Sequence, residues 1–136
     1  MSSAPQGPPE PAGRDEITSD PNAPPTAEPP DEFDVYELVL LRRGQSEPRL
    51  DAETMELLQR QHLGHLETMK AAGHLAVAGP FGDQPDDNWR GLCVYQVGSL
   101  DEARRLAQAD PAVRAGQLTV DVMHWYTAKG ALLFTR

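Results

Sequence analysis

Residues 51–80 read DAETMELLQRQHLGHLETMKAAGHLAVAGP, and their apolar period changes part-way. From Asp51 to Ala72 the apolar side chains recur every three or four positions, the spacing of one helix face. Asp51 stands where an N-cap belongs, and Gly73 follows the last helical residue as a stop signal. His74-Leu75-Ala76-Val77-Ala78 is then a short apolar run of strand length, closed by Gly79-Pro80. A long helix delivered straight into a strand fixes the first half of the topology.

The flanking segments supply the rest. Val35 to Leu41 is a near-continuous apolar run, suited to a strand buried on both faces. Gly44 to Pro48 is a loop. After the polar loop 82–88, Gly91 to Val97 forms a third strand. Ser99-Leu100-Asp101-Glu102 is a capping box, with Ser99 as cap and Glu102 reaching back. The helix it opens ends near Ala109, because the residue before Pro111 is pushed away from helical geometry. Gly116 closes a short turn. Leu118 to Tyr126 alternates as a last strand, with Leu118, Val120, Val122 and His124 on one face and Thr119, Asp121, Met123 and Trp125 on the other. The order is βαββαβ, an α+β ferredoxin-like fold: an antiparallel sheet with both helices on one face. The uncovered face needs a partner, and a homodimer packed sheet to sheet is expected.

Composition bounds the function. Residues 1–32 hold nine of the thirteen prolines, with Ile17 as their one large aliphatic residue. Such a stretch cannot bury enough apolar surface to order itself, so a disordered acidic tail is expected there, with the folded domain over 33–136. Seven of the 21 acids and one of the 12 bases lie in the tail, leaving fourteen acids and eleven bases in the domain. A mildly acidic domain without a basic stripe argues against nucleic acid and against an anionic membrane surface. No apolar run reaches transmembrane length, and the amino terminus lacks a signal peptide's regions. With one cysteine, Cys93, no internal disulfide forms, and a cytoplasmic protein is expected.

The long helix carries two histidines of different character. At roughly 100° per residue from Met55, His62 falls near 340°, inside the stripe of Leu58, Leu66 and Met69. His65 falls at roughly 280° on the same wheel, at the border of that stripe. A buried imidazole must satisfy its ring nitrogens. A backbone carbonyl would suffice, and so would a carboxylate. A metal would need further ligands, and His74, His124 and Cys93 have no ligand spacing, so neither metal nor cofactor is expected. Asp110 is a second oddity, because a carboxylate at the carboxyl end of a helix meets an unfavourable dipole. An Asx turn into Pro111 explains it locally; a partner on the neighbouring helix, with His62 in reach, explains it functionally.

In order, His62-Leu63, Ala71-Ala72-Gly73, Ala78-Gly79-Pro80, Ser99-Leu100-Asp101-Glu102-Ala103, Asp110-Pro111, Ala115-Gly116 and Trp125 resemble the YciI (YCII-related) family. The resemblance spans nearly all of Phe33 to Lys129. It implies a dimeric α/β barrel arrangement and a His–Asp active site, carried here by His62 and Asp110. It also implies a small-molecule substrate, with chloride elimination among the reactions the family hosts. General acid/base chemistry of elimination or isomerisation type follows, since no serine or cysteine nucleophile stands out. The alternative is a non-catalytic dimeric ligand-binding or adaptor module. Gly79 and Pro80 line the pocket floor in this reading, or simply make a tight turn. Trp125 walls the pocket or packs at the dimer interface. Arg42 and Arg90 read as solvated surface charges.

Overall fold

The computed structural model describes residues 32–133; the tail expected over 1–32 lies, but for Glu32, outside the described residues. β1 (Phe33–Arg43) is followed by a 3-10 turn at Glu47–Arg49, α1 (Ala52–Ala71), β2 (Leu75–Pro80), β3 (Trp89–Tyr95), α2 (Leu100–Gln108), α3 (Pro111–Arg114) and β4 (Leu118–Ala128). The strands form one sheet in the order β2-β3-β1-β4, with every neighbouring pair antiparallel. This is the ferredoxin-like α+β arrangement expected from the element order.

Local signals start and stop the helices as read. The Asp51 carboxylate accepts the Thr54 N–H at 2.7 Å, a bond that draws its pKa below the ordinary carboxylate value. Ser99 Oγ accepts the Glu102 N–H at 3.0 Å. The second half of the capping box is replaced: the Glu102 carboxylate takes Arg105 in a two-pronged contact at 3.0 and 2.6 Å. α3 is a further element, one turn long and too short for periodicity to reveal.

The sheet separates two apolar layers. Val39, Leu41, Leu75, Cys93 and Tyr95 face the helices and bury against Ala103, Leu106 and Ala107 of α2, with Leu66 and Met69 of α1 packed on them. Tyr36, Ala76 and Val94 form a smaller cluster on the opposite face. Glu37 breaks the apolar run of β1, yet it is 2% exposed. Its Oε1 accepts the N–H groups of Val97 and Gly98 at 2.7 and 3.2 Å, which pins the turn between β3 and α2.

Two irregular contacts shape the end of the sheet nearest the amino terminus of α1. Gly44 N–H donates to the Gln117 carbonyl at 2.8 Å, and Ser46 N–H to the Gly116 carbonyl at 3.0 Å. A Cβ on Gly44 would lie 2.1 Å from the Gly116 oxygen, so this approach demands glycine. Between β1 and β3 the register skips: Leu41 pairs with Gly91, but Arg42 pairs with Trp89. Arg90 is the extra residue of that bulge.

Candidate functional site

His62 lies midway along α1 and is 8% exposed. Its Nδ1 stands 2.5 Å from Asp110 Oδ2. An ionised carboxylate only accepts, so Nδ1 donates to it, and Nε2 is the ring nitrogen left for another partner. The other Asp110 oxygen, Oδ1, accepts the Ala112 N–H at 2.9 Å. Asp110 is thus the N-cap of α3, one position past the C-cap of α2. Its main-chain carbonyl also accepts the N–H groups of Val113 and Arg114. The adverse dipole at the end of α2 is met by a favourable one at the start of α3, and the carboxylate, 2% exposed, is fully engaged.

His65 has a different partner. Its Nε2–H donates to the Leu106 carbonyl at 3.0 Å, satisfying an end carbonyl of α2. Both histidines of the QHLGH stretch therefore reach across to the α2–α3 segment. One meets a carboxylate, the other a backbone carbonyl.

Beside His62 lies a cavity of about 570 Å³ between α1 and the ends of β1, β2, β3 and β4. Its walls are largely apolar, with Leu41, Met55, Leu63, Leu66 and Leu118 among them. Gly79, Pro80 and Cys93 also line it. Gly91 has no side chain to intrude, and a Cβ there would come within 2.9 Å of the Gly79 carbonyl. Polar groups at the cavity come from Glu47, Glu56, Gln59, Arg90 and Gln117. Burial pushes the Cys93 thiol up to about 12, with the nearby Asp110 charge as a second cause. Burial raises Tyr95 in the same direction, helped by Cys93 and Asp110. These groups stay protonated at neutral pH, and neither is a ready nucleophile.

Among the expected site residues, His62, Asp110, Gly79 and Pro80 come together. Trp125 does not join them, and its assignment to the pocket wall is corrected. It pairs with Tyr36 across β1 and β4, with ring centroids 6.1 Å apart, on the sheet face away from the helices. The period of two, applied outward from Leu118, Val120 and Val122, already put it there. Arg42 is likewise away from the cavity, in an ion pair with Asp121 at 2.8 Å. Arg90, expected as a solvated surface charge, lines the cavity instead. Regular alternation from Cys93 and Gly91 would send it to the far face, but the bulge re-aims it. Among the described residues, no three His, Cys, Asp or Glu side chains converge as a metal set.

Residues 38–126 match the YCII-related domain. The chain belongs to this family. Among solved structures, the YCII-related chain is similar to 5-chloro-2-hydroxyhydroquinone dehydrochlorinase (TftG) from Burkholderia phenoliruptrix, in complex with 2,5-dihydroxybenzoquinone. The identity is 24%, the match covers 65% of this chain and 92% of that one, and the TM-score is 0.47. No curated protein matches the chain. No described helix is long and apolar enough to cross a membrane.

Proposed function

We propose that this YCII-related chain is a small-molecule enzyme in which His62, oriented by Asp110, performs general acid/base catalysis of an elimination or isomerisation. The observation that carries the reading is the 2.5 Å contact between His62 Nδ1 and Asp110 Oδ2 beside the cavity. The contact fixes the tautomer, so the second nitrogen is the basic one. When Nε2 takes a proton from substrate carbon, the buried carboxylate stabilises the imidazolium that forms. The same nitrogen returns the proton to a leaving group or to a different carbon. Such a group is worth about 10²–10⁴ in rate. Apolar walls suit a compact, largely hydrophobic substrate. The protonated Cys93 thiol is no competing nucleophile beside the cavity.

We also place the enzyme in a homodimer, joined through the sheet face that carries Tyr36, Val77, Met123 and Trp125. Val77, Met123 and Trp125 are exposed in the single protomer, and a second copy would bury them. The lone buried thiol fits a reducing compartment, and the cytoplasm is our assignment.

The test is a small-metabolite screen with wild type, His62→Ala and His62→Gln run in parallel. Turnover of one compound by wild type, lost in both variants with folding retained, is expected. A compound that binds all three proteins and is consumed by none favours the binding-module alternative.

A further inference from the structure

We propose that Arg90 makes this cavity selective for small acids, holding a carboxylate or comparable oxyanion of the ligand while the apolar walls take its hydrocarbon part. The inference rests on the reading of the cavity beside His62 as the ligand site.

Arg90 lines the cavity, and its orientation is built rather than incidental. It occupies the bulge between β1 and β3, where regular pairing would have sent it elsewhere. Its Nε–H donates to the Asp87 carbonyl at 2.9 Å, which anchors the inner part of the guanidinium. The Asp87 carboxylate is committed to another cation. It bonds Arg43 at 2.7 Å, while the terminal nitrogen of Arg90 stands 4.0 Å off. The Asp87 charge is therefore divided between two arginines, and a guanidinium presents two parallel N–H groups to an oxyanion.

Two acids share the cavity and must be weighed against this. Glu47 is turned toward Arg43, with 3.6 Å between the charged atoms. Glu56 lies on an exposed part of α1, where water screens it. Neither matches an arginine fixed by its own backbone neighbour. The buried Asp110 carboxylate stands behind His62, so a local cation favours entry of an anionic ligand. Arg90 is that cation.

The test uses the full chain and three probes of one shape: benzoate, benzamide and benzylamine. Each is titrated against ¹⁵N-histidine-labelled protein, with the His62 ring resonances, assigned through His62→Gln, reporting occupancy. Benzoate is expected to bind about tenfold tighter than benzamide, with benzylamine weakest. Arg90→Gln should bring benzoate and benzamide level, Arg90→Lys should keep part of the preference, and Arg42→Gln should leave it intact. Thermal melting confirms that each variant is folded. Equal affinity for benzoate and benzamide, a preference for benzylamine, survival of the benzoate preference in Arg90→Gln, or no response of His62 to benzoate would each overturn the proposal. Because binding needs no turnover, absence of catalysis in the metabolite screen would leave this result standing on its own.

Discussion

His62 and Asp110, 48 positions apart in the chain, meet at 2.5 Å because each is held by a different helical rule. His62 sits in the apolar stripe of α1, which turns it inward. Asp110 is fixed by α3, whose first turn it caps through Oδ1 while Oδ2 receives the imidazole. One carboxylate thus starts a helix and orients a ring.

Asp110→Asn separates those duties. The amide oxygen can still cap Ala112, but the amide group facing His62 can now donate to Nδ1 and so favour the other tautomer. Histidine ¹⁵N spectra should report Nδ1–H in wild type and a shift toward Nε2–H in the variant. Activity on any identified substrate should fall by about 10²–10⁴. Asp110→Ala leaves both the ring N–H and the Ala112 N–H without this acceptor. It should cost about 2–4 kcal/mol in urea unfolding. Unchanged ¹⁵N shifts in Asp110→Asn would refute the orienting role.

His65→Ala is the contrasting change. It removes one part-buried hydrogen bond to the Leu106 carbonyl, in the last turn of α2. A loss of about 0.5–1.5 kcal/mol is expected, with the His62 resonances and ligand binding unaltered. A change at His62 comparable to that in Asp110→Asn would mean the two histidines act as one unit.

Met123→Glu with Trp125→Glu places two like charges on the uncovered sheet face. If that face joins two copies, the double variant should run as a monomer in light scattering where wild type runs as a dimer. Its isolated fold should survive, since both side chains are exposed in the protomer. Wild type that is monomeric at micromolar concentration would remove the dimer from the proposal.

Two glycines give opposite stability predictions. Gly64 lies within α1, and nothing stands within 4 Å of a Cβ built there. Gly64→Ala should stabilise by about 0.5–1 kcal/mol through helix propensity alone. Gly44→Ala would drive a Cβ into the Gly116 carbonyl, so the loops at the cavity end must separate. That should cost about 1–3 kcal/mol or more, and should weaken ligand binding through displaced Glu47 and Gln117. Urea midpoints for the two variants check both signs.

The sequence disclosed the fold more readily than the site because the fold is written in repeating periods. α1 and β4 each show theirs over five or more residues, β2 stands out as a short apolar run closed by Gly79-Pro80, and Asp51 and Ser99 cap where capping chemistry places them. The site depends on single departures from those periods. Asp110 was puzzling because α3 is one turn long, too brief to show a pattern, and its cap therefore looked like a misplaced acid. Arg90 looked like surface because a one-residue bulge is invisible to alternation. Glu37 was absorbed into an apolar run because its partners are main-chain N–H groups 60 and 61 positions away. Trp125 is the reverse case: the alternation of β4 puts it on the far face, beside Tyr36, which rules out the pocket wall of its two readings.

Cys93 gives the pH prediction. Its thiol is buried among Val39, Leu75 and Tyr95 at the edge of the cavity, and it is pushed up from 9.0 to about 12 by burial first and by Asp110 second. The unfolded chain releases this proton at the ordinary thiol value, while the folded chain keeps it. The folded state therefore binds more protons over that interval, and stability falls with rising pH there. The contribution is fully present below about 9, erodes as pH climbs through the interval, and is gone above about 12. Its full size is on the order of a few kcal/mol. Cys93→Ala should start less stable than wild type at neutral pH, by about 1–2 kcal/mol for the lost packing. Its urea midpoint should then fall less steeply in alkali, so that the two curves converge and cross. Because the surface groups are common to both proteins, the difference between the curves reports the thiol together with its coupling to Tyr95. Parallel curves across the alkaline range would mean that Cys93 ionises as freely in the fold as outside it.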